Sequence, residues 1–352
     1  MISEIKRDRK GFPGAQGFLI ILLFLVVLGC SSCQSTLIKD KTNGISLVAS
    51  RDSLTSNELD YLLEVNANAV ALMPYAFLNT EKGPQLYFNQ DRQWFGERAE
   101  GIEQAIIKLR EKQIAIMMKP HLWLRNGSFT GDLNFSSEAE WKDFEQSYKE
   151  YILFYAEISE EYHIETLCIG TELYTFVKER PLFWQKLIYN IREIYTGKLV
   201  YAENWDKIDQ VQIWKELDFI GVDAYFPISE KASPSEQEIK NGWQKHKTLL
   251  ANLSSEYQKP ILFTEYGYRN IDYAVKEPWN SERKLYPKNH NLQARALKVL
   301  LEEFWTKDWF QGGYLWKWHQ YENSGGLEND RFTPQNKPAE NTIKEYYLKF
   351  KN

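Results

Sequence analysis

The sequence predicts an α/β fold, a single (β/α)8 or TIM barrel, and three features carry that expectation. Eight short, largely apolar runs alternate with amphipathic helical stretches over about 310 residues, the count and order of strand–helix units that such a barrel needs. Several runs are apolar throughout, as parallel strands covered on both faces are. Polar and aromatic side chains gather just after the runs, where the loops of a barrel share one face. No shift in composition separates the units, so residues 42–352 are expected to form one domain. An open doubly wound sheet would want a glycine-rich phosphate turn after an early strand, and the sequence has none.

Each unit has its own signal. The run 45–49 precedes Thr55-x-x-Glu58, a capping box ahead of Leu59, Leu62 and Leu63. After 69–73, the stretch 97–112 puts Ile102, Ala105, Ile106 and Leu109 on one helical face. After 114–118, Ser137-x-x-Glu140 opens a long helix carrying Phe144, Tyr148, Tyr151, Ile152 and Tyr155. The run 166–170 leads to a helix over 181–195, and 198–202 to a short helix near 208–217. After 219–222, Ser233-Pro234-Ser235-Glu236 reads as a capping box with proline at the first helical position. The runs 261–264 and 313–315 precede helices over 292–305 and 339–350.

Composition narrows the function. A net charge of −5 gives no basic footprint, so nucleic acid is not an expected partner. Aromatic residues make up 15% of the chain, with 12 Trp and 21 Tyr. Such side chains offer flat faces with a polar handle, suited to sugar rings, although about half of the Trp are expected in the core. The five His and three Cys show no metal-ligand spacing, so no metal is expected. Cys168 lies in an apolar run and reads as a buried small hydrophobe. No disulfide is expected.

The N-terminus reads as a targeting segment. Lys6, Arg7, Arg9 and Lys10 precede an 11-residue apolar run, 18–28, too short to span a bilayer. It ends in Gly29-Cys30-Ser31-Ser32, which resembles the lipobox of bacterial lipoproteins. The resemblance implies a signal peptide over 1–29, lipidation of Cys30 and attachment to a membrane of the bacterial cell envelope, at the outer membrane or cell surface. Residues 30–41 are polar, include Cys33 and read as a tether.

Two glutamates suggest the chemistry. Glu172 closes the run in Leu-Cys-Ile-Gly-Thr-Glu-Leu, and Glu265 closes that in Ile-Leu-Phe-Thr-Glu-Tyr-Gly-Tyr. Strands four and seven of a barrel face each other across its mouth, so these carboxyls can flank one glycosidic bond as acid and nucleophile. Retaining hydrolysis needs a separation of about 5–5.5 Å. Other candidates follow the remaining strands: Lys119 and His121 after the third, Asn204 and Trp205 after the fifth, Asp223 and Tyr225 after the sixth, Tyr268 after the seventh, and Trp316 and Trp318 after the eighth. Trp316 is the first choice for a sugar platform, with Trp318 and Trp205 next. Tyr225 or Tyr268 is expected to bond the nucleophile. Lys119 suits a structural salt bridge equally well, Asp223 suits an acceptor behind the acids, and Glu203 suits a helix cap or ion pair.

Gly-Thr-Glu-Leu (170–173), Ala-Glu-Asn-Trp (202–205), Asp-Phe-Ile-Gly-Val-Asp-Ala-Tyr (218–225), Thr-Glu-Tyr-Gly-Tyr (264–268) and Gly-Tyr-Leu-Trp-Lys-Trp (313–318) occur in that order on the expected strands. Together with Trp-Phe-Gly-Glu (94–97) and Thr-Pro-Gln-Asn-Lys-Pro-Ala (333–339), they resemble clan A glycoside hydrolases, most closely the family 113 β-mannanases. The resemblance implies cofactor-free, retaining cleavage of β-1,4-mannosidic linkages in mannan-type glycans, with Glu172 as acid/base and Glu265 as nucleophile. Two positions depart from the wider clan. Thr171 stands where most members have an Asn that bonds the sugar 2-hydroxyl. Pro74 and Tyr75 stand where an Arg ends strand two, leaving Lys119 as the candidate cation. Another clan A β-glycanase, or a non-catalytic glycan-binding lipoprotein, is the alternative; two opposed carboxyls speak against the latter.

Overall fold

Eight parallel strands close into a barrel in a computed structural model that describes residues 41–282 and 286–351. The expected signal peptide, Cys30, Cys33 and almost all of the tether lie outside the described residues. Among the described residues no helix is long and apolar enough to cross a membrane. The barrel strands are β1 (Thr42–Leu47), β2 (Ala69–Leu72), β5 (Ala115–Met118), β7 (Thr166–Thr171), β8 (Lys198–Asn204), β9 (Phe219–Asp223), β10 (Ile261–Tyr266) and β11 (Phe310–Trp318), with β11 closing on β1. They are wound by α1 (Ser56–Leu63), α2 (Ala99–Glu111), α3 (Glu138–Glu161), α5 (Pro181–Arg192), α6 (Glu236–Tyr257), α7 (His290–Phe304) and α8 (Pro338–Lys349). A further short helix, α4 (Tyr174–Glu179), follows β7 directly.

All eight expected strands are present. Several extend past the apolar run, because backbone pairing continues through the polar residues up to Thr171, Asn204, Asp223 and Tyr266. Side-chain alternation splits the core in two. Ala69, Ala71, Met117, Cys168, Val200, Ala202, Leu262 and Tyr314 fill the barrel interior. Their neighbours Val70, Ile116, Leu167, Leu199 and Ile220 point outward and pack under the helices. Cys168 is buried as a free thiol.

The helices follow their caps with one exception. Thr55 with Glu58, and Ser137 with Glu140, form the expected capping boxes. The sixth-unit helix is capped by Ser235 with Glu238, two residues later than expected. Ser233 is unavailable: its hydroxyl accepts from Asn289 and Arg295. Between β8 and β9 the expected short helix is replaced by two 3-10 turns, Ile208–Gln210 and Ile213–Glu216.

The sequence reading missed a second sheet. β3 (Tyr75–Leu78), β4 (Leu86–Phe88) and β6 (His121–Leu124) sit in the loops after barrel strands two and three, with β3 antiparallel to β4 and parallel to β6. One face, through Phe88, packs on Tyr151 and Phe154 of α3. The Tyr151 hydroxyl donates to the carbonyls of Pro74 and His121, both at 3.0 Å, tying α3 to the roots of β3 and β6.

At the opposite end, α8 staples the first strand. The Tyr347 hydroxyl donates to the Gly44 carbonyl at 2.6 Å, and Asn43 Nδ2 donates to the Tyr347 carbonyl at 3.1 Å. Trp305 Nε1 donates to Asn43 Oδ1 at 2.7 Å.

Candidate active site

Plain alternation along β10 would send Glu265 outward with Phe263. A register shift intervenes: Phe263 pairs with Val222 but Glu265 pairs with Asp223, so β10 spends one residue more than β9. Such a bulge turns a side chain to the other face, and here it sets Glu265 inside the mouth beside Asp223. Gly267 lies so near the Trp316 carbonyl that a Cβ would come within 2.4 Å of its oxygen. The chain after Glu265 therefore runs directly beside β11.

Both oxygens of Glu265 are held. Lys119 Nζ donates to Oε1 at 2.5 Å and the Tyr225 hydroxyl donates to Oε2 at 2.8 Å. His121 Nε2 stands 3.8 Å from Oε1. Lys119 also reaches Asp223 Oδ1 at 3.2 Å, and the Thr264 hydroxyl donates to the same oxygen at 2.7 Å. Burial alone would lower the Lys119 pKa, but the Asp223 and Glu265 carboxylates hold it above the usual lysine range. Burial, reinforced by the charge of Glu265, pushes the Asp223 carboxyl up to about 7. Burial and the nearby Lys119 charge keep the His121 imidazole well below its usual range, and so neutral.

Glu172 is placed by backbone. β7 carries its own register shift, with Cys168 opposite Val200 but Thr171 opposite Ala202. Glu172 follows in the left-handed region at φ 50°, a conformation that is costly for a residue with a side chain and needs outside support. The support comes from β8. Glu172 N donates to the Ala202 carbonyl at 2.7 Å, and Leu173 N donates to the Tyr201 hydroxyl at 2.9 Å. The Tyr201 hydroxyl in turn donates to Glu203 Oε2 at 2.7 Å. Among the described residues no hydrogen-bond or ion-pair partner reaches the Glu172 carboxyl. Burial, then the charges of Asp223 and Glu265, raise its pKa well above the usual carboxylate range. The surroundings of Glu172 thus favour its protonated form, and the residue keeps partial contact with solvent. One carboxyl whose proton is favoured and one anchored by two donors, in a shared mouth, can act as acid and nucleophile.

The remaining expected residues divide. Trp316, His121 and Asn204 are half-buried at the mouth. Trp205 is also there, but it stacks on Trp279 at 5.3 Å and packs against Phe226, so the exposed Trp279 covers one of its faces. Four of these candidates have no surface for a sugar, and two of them stand in the supporting places also open to them, Lys119 in a salt bridge and Asp223 as an acceptor behind Glu265. Lys119 and Asp223 are 0% exposed and form the support beneath Glu265, which leaves them no surface for a ligand. Tyr268 is 1% exposed and its hydroxyl does not bond Glu265; Tyr225 does. Trp318 is 0% exposed and packs against Tyr61. On β11 the register shifts between Leu315, opposite Ile45, and Trp318, opposite Leu47. That extra residue turns Trp318 outward while Trp316 keeps the inward side.

Glu203 is buried with Tyr201 on the outward face of β8, bonded to that hydroxyl and to Asn204 N. Tyr201 itself was missed, because a tyrosine inside an apolar strand carries no signal of a role. Thr264 had a faint one, in the repeated Thr-Glu. Among the described residues no group of three or more His, Cys, Asp and Glu side chains is arranged to hold a metal ion.

Comparison with known proteins bears on the fold and the family. A solved structure of a GH113 β-1,4-mannanase complex is 22% identical, with a TM-score of 0.76 over 88% of this chain and 99% of that one. A GH113 β-mannanase from Alicyclobacillus acidocaldarius in complex with ManMIm is 20% identical, with a TM-score of 0.76 over 88% and 98%. A β-glucuronidase from Ruminococcus gnavus, 11% identical, matches at a TM-score of 0.58 over 87% of this chain and 50% of that one. At these identities the likeness speaks for the barrel. No curated protein sequence matches the chain. The profile of Glycoside Hydrolase Family 113 matches residues 49–337, and the chain belongs to that family.

Proposed function

We propose that this family 113 glycoside hydrolase cleaves β-1,4-mannosidic linkages within mannan-type glycans, with retention. The observation that carries the reading is the unequal setting of the two carboxyls. Glu265 has both oxygens bonded by Lys119 and Tyr225, while the unpartnered Glu172 carboxyl is raised well above its usual range. In the first step Glu172 gives its proton to the leaving glycosidic oxygen as Glu265 attacks the anomeric carbon, forming a glycosyl ester. In the second, Glu172 takes a proton from water, which displaces Glu265 and releases a sugar of unchanged anomeric configuration. The chemistry requires no metal or organic cofactor. The mannosidic choice draws on the two family members above, whose names record that activity.

Reducing-sugar release from mannan, glucomannan, xylan and barley glucan, with product sizing, tests the linkage and the endo mode. Proton NMR of the first product tests stereochemistry: β anomers are expected, and initial α anomers would overturn the double displacement. Release from barley glucan or xylan alone would favour another β-glycanase of the same clan.

We also propose that Cys30 carries a lipid anchor, from the apolar run 18–28 followed by Gly29-Cys30. Metabolic labelling with a fatty-acid analogue should mark the protein and should fail with Cys30→Ser. Label persisting in that variant would refute the anchor.

A further inference from the structure

We propose that the outer face of the three-stranded sheet formed by β3, β4 and β6 is a glycan-binding surface, taking sugar units of a β-linked polysaccharide beyond the one at the reacting bond. The inference rests on the glycan-hydrolase reading of the mouth and extends it to a region outside the barrel.

Strand alternation gives the sheet two faces. Ala76, Leu78, Leu86 and Leu124 are buried, and Phe88, opposite Ala76, packs on α3. The other face gathers aromatic rings. Register sets Tyr75 beside His121, Phe77 beside Trp123, and Phe77 beside Tyr87. Tyr75 and Phe77 have centroids 6.4 Å apart, and Tyr75 and His121 lie 5.4 Å apart.

This face is continuous with the catalytic centre. The His121 ring lies parallel to Trp316, 6.2 Å away with 7° between planes, and its Nε2 is 3.8 Å from Glu265. From there the aromatic row leads out to Trp123, which is 55% exposed. A hydrolase gains little by leaving a tryptophan in water at the end of such a row, and exposed apolar surface of this kind marks ligand grooves. Sugar rings fit it. Their C–H faces lie flat on aromatic rings, while hydroxyls stay in water or meet the tyrosine hydroxyls. A peptide adding to the sheet would use strand edges, whereas the recognition chemistry here is on the face. The linear backbone of a polysaccharide is the occupant that can lie at Glu265 and over Trp123 at once.

The test separates this surface from the linkage reading. In a Glu265→Gln background, which does not consume the ligand, affinity electrophoresis would be run with soluble galactomannan, glucomannan, xylan and barley glucan. Retardation by one glycan is expected, with affinity falling about tenfold on Trp123→Ala, as for one lost ring contact, and largely restored in Trp123→Phe. Tyr87→Ala, on the same face, should weaken binding of the same glycan. With Glu265 intact, the rise in KM of Trp123→Ala on polymer should exceed that on an aryl glycoside by about the same factor. Unaltered affinity of Trp123→Ala for every glycan would overturn the proposal. So would equal losses on polymer and aryl glycoside, or no retardation by any glycan. Retardation by xylan or barley glucan but not by the mannans, still dependent on Trp123, would overturn the mannosidic reading and leave the surface standing.

Discussion

The ends of β7 and β10 carry the same side chain and treat it in opposite ways. At Glu265 the control is exerted on the carboxylate itself: an ammonium on one oxygen, a phenol on the other, and Asp223 and Thr264 steadying the ammonium. At Glu172 the control is exerted on the main chain. A left-handed backbone is pinned by the Ala202 carbonyl and the Tyr201 hydroxyl, and the carboxyl is left without a partner. A nucleophile must stay charged and aimed, which direct bonds achieve. An acid/base must lose and regain a proton, and a strong partner would hold it in one state. Identical residues acquire different chemistry from which atoms the surroundings grip.

The contrast breaks most completely at Glu265. Glu265→Ala should abolish turnover of every substrate, because no ester can form, as assayed on polymer and aryl glycoside alike. Glu172→Ala should cost about 10²–10⁴-fold on substrates whose leaving group needs a proton. The loss should be much smaller on aryl glycosides with good leaving groups, and azide should restore turnover by giving a β-glycosyl azide. Equal losses on both substrate classes would reassign Glu172 to binding. With Glu172 in the proposed role of first proton donor, activity in native protein should fall as pH rises through its elevated pKa. Glu265→Gln removes a charge that raises that pKa, so carbon-detected NMR of the Glu172 carboxyl should show it titrating lower.

Removing the grip should come next in size. Lys119→Met leaves Glu265 and Asp223 without their shared cation inside the mouth. A stability loss of about 3–5 kcal/mol is expected in urea unfolding, with kcat down by about 10²-fold because the nucleophile is no longer aimed. Near-native kcat would mean that Tyr225 alone orients Glu265. On the other side, Tyr201→Phe deprives Leu173 N of its acceptor at a cost of about 1–3 kcal/mol. Its kinetic effect should be about tenfold and confined to substrates that need protonation. An equal loss on activated aryl glycosides would show that Tyr201 serves packing alone.

The smallest effect concerns stability against pH. Burial pushes the Glu203 carboxyl up to about 7 from its ordinary 4.5. Between those values the folded state binds more proton than the unfolded one, so stability is full below the unfolded pKa and declines as pH rises towards 7. The decline is at most roughly 3 kcal/mol for Glu203, and Asp223, also near 7, adds in the same sense. Thermal melts from pH 4.5 to 7.5 should show the slope, and Glu203→Gln should flatten it. An unchanged slope in that variant would place the proton elsewhere.

Much of this arrangement was legible in the sequence because the barrel is built of local signals. Apolar runs mark strands, Thr55 and Ser137 mark helix starts, and the two Glu end strands whose partners the topology supplies. What was not legible depends on pairing. β3 and β6 follow barrel strands across Pro74 and Pro120 and pair with each other over more than forty intervening residues, so neither four-residue segment announces itself. Ser233 and Ser235 both satisfy the capping pattern, and only the partners Asn289 and Arg295, distant in sequence, decide between them. Trp318 shares Trp316's parity on paper, and a register shift set by the neighbouring strand separates them. Alternation predicts facing until a bulge intervenes, and in this chain β7, β10 and β11 shift register near the mouth.

The staple between α8 and β1 has a practical side. β1 starts, and α8 finishes, on the side of the barrel away from Glu172 and Glu265, with Tyr347 bonded to Gly44. A fusion partner, affinity handle or solid support joined ahead of Thr42 or after Lys349 therefore attaches at the floor. The mouth and its aromatic row stay open to a bulky polymer, so an enzyme immobilised through either end should work on long chains as readily as on short ones.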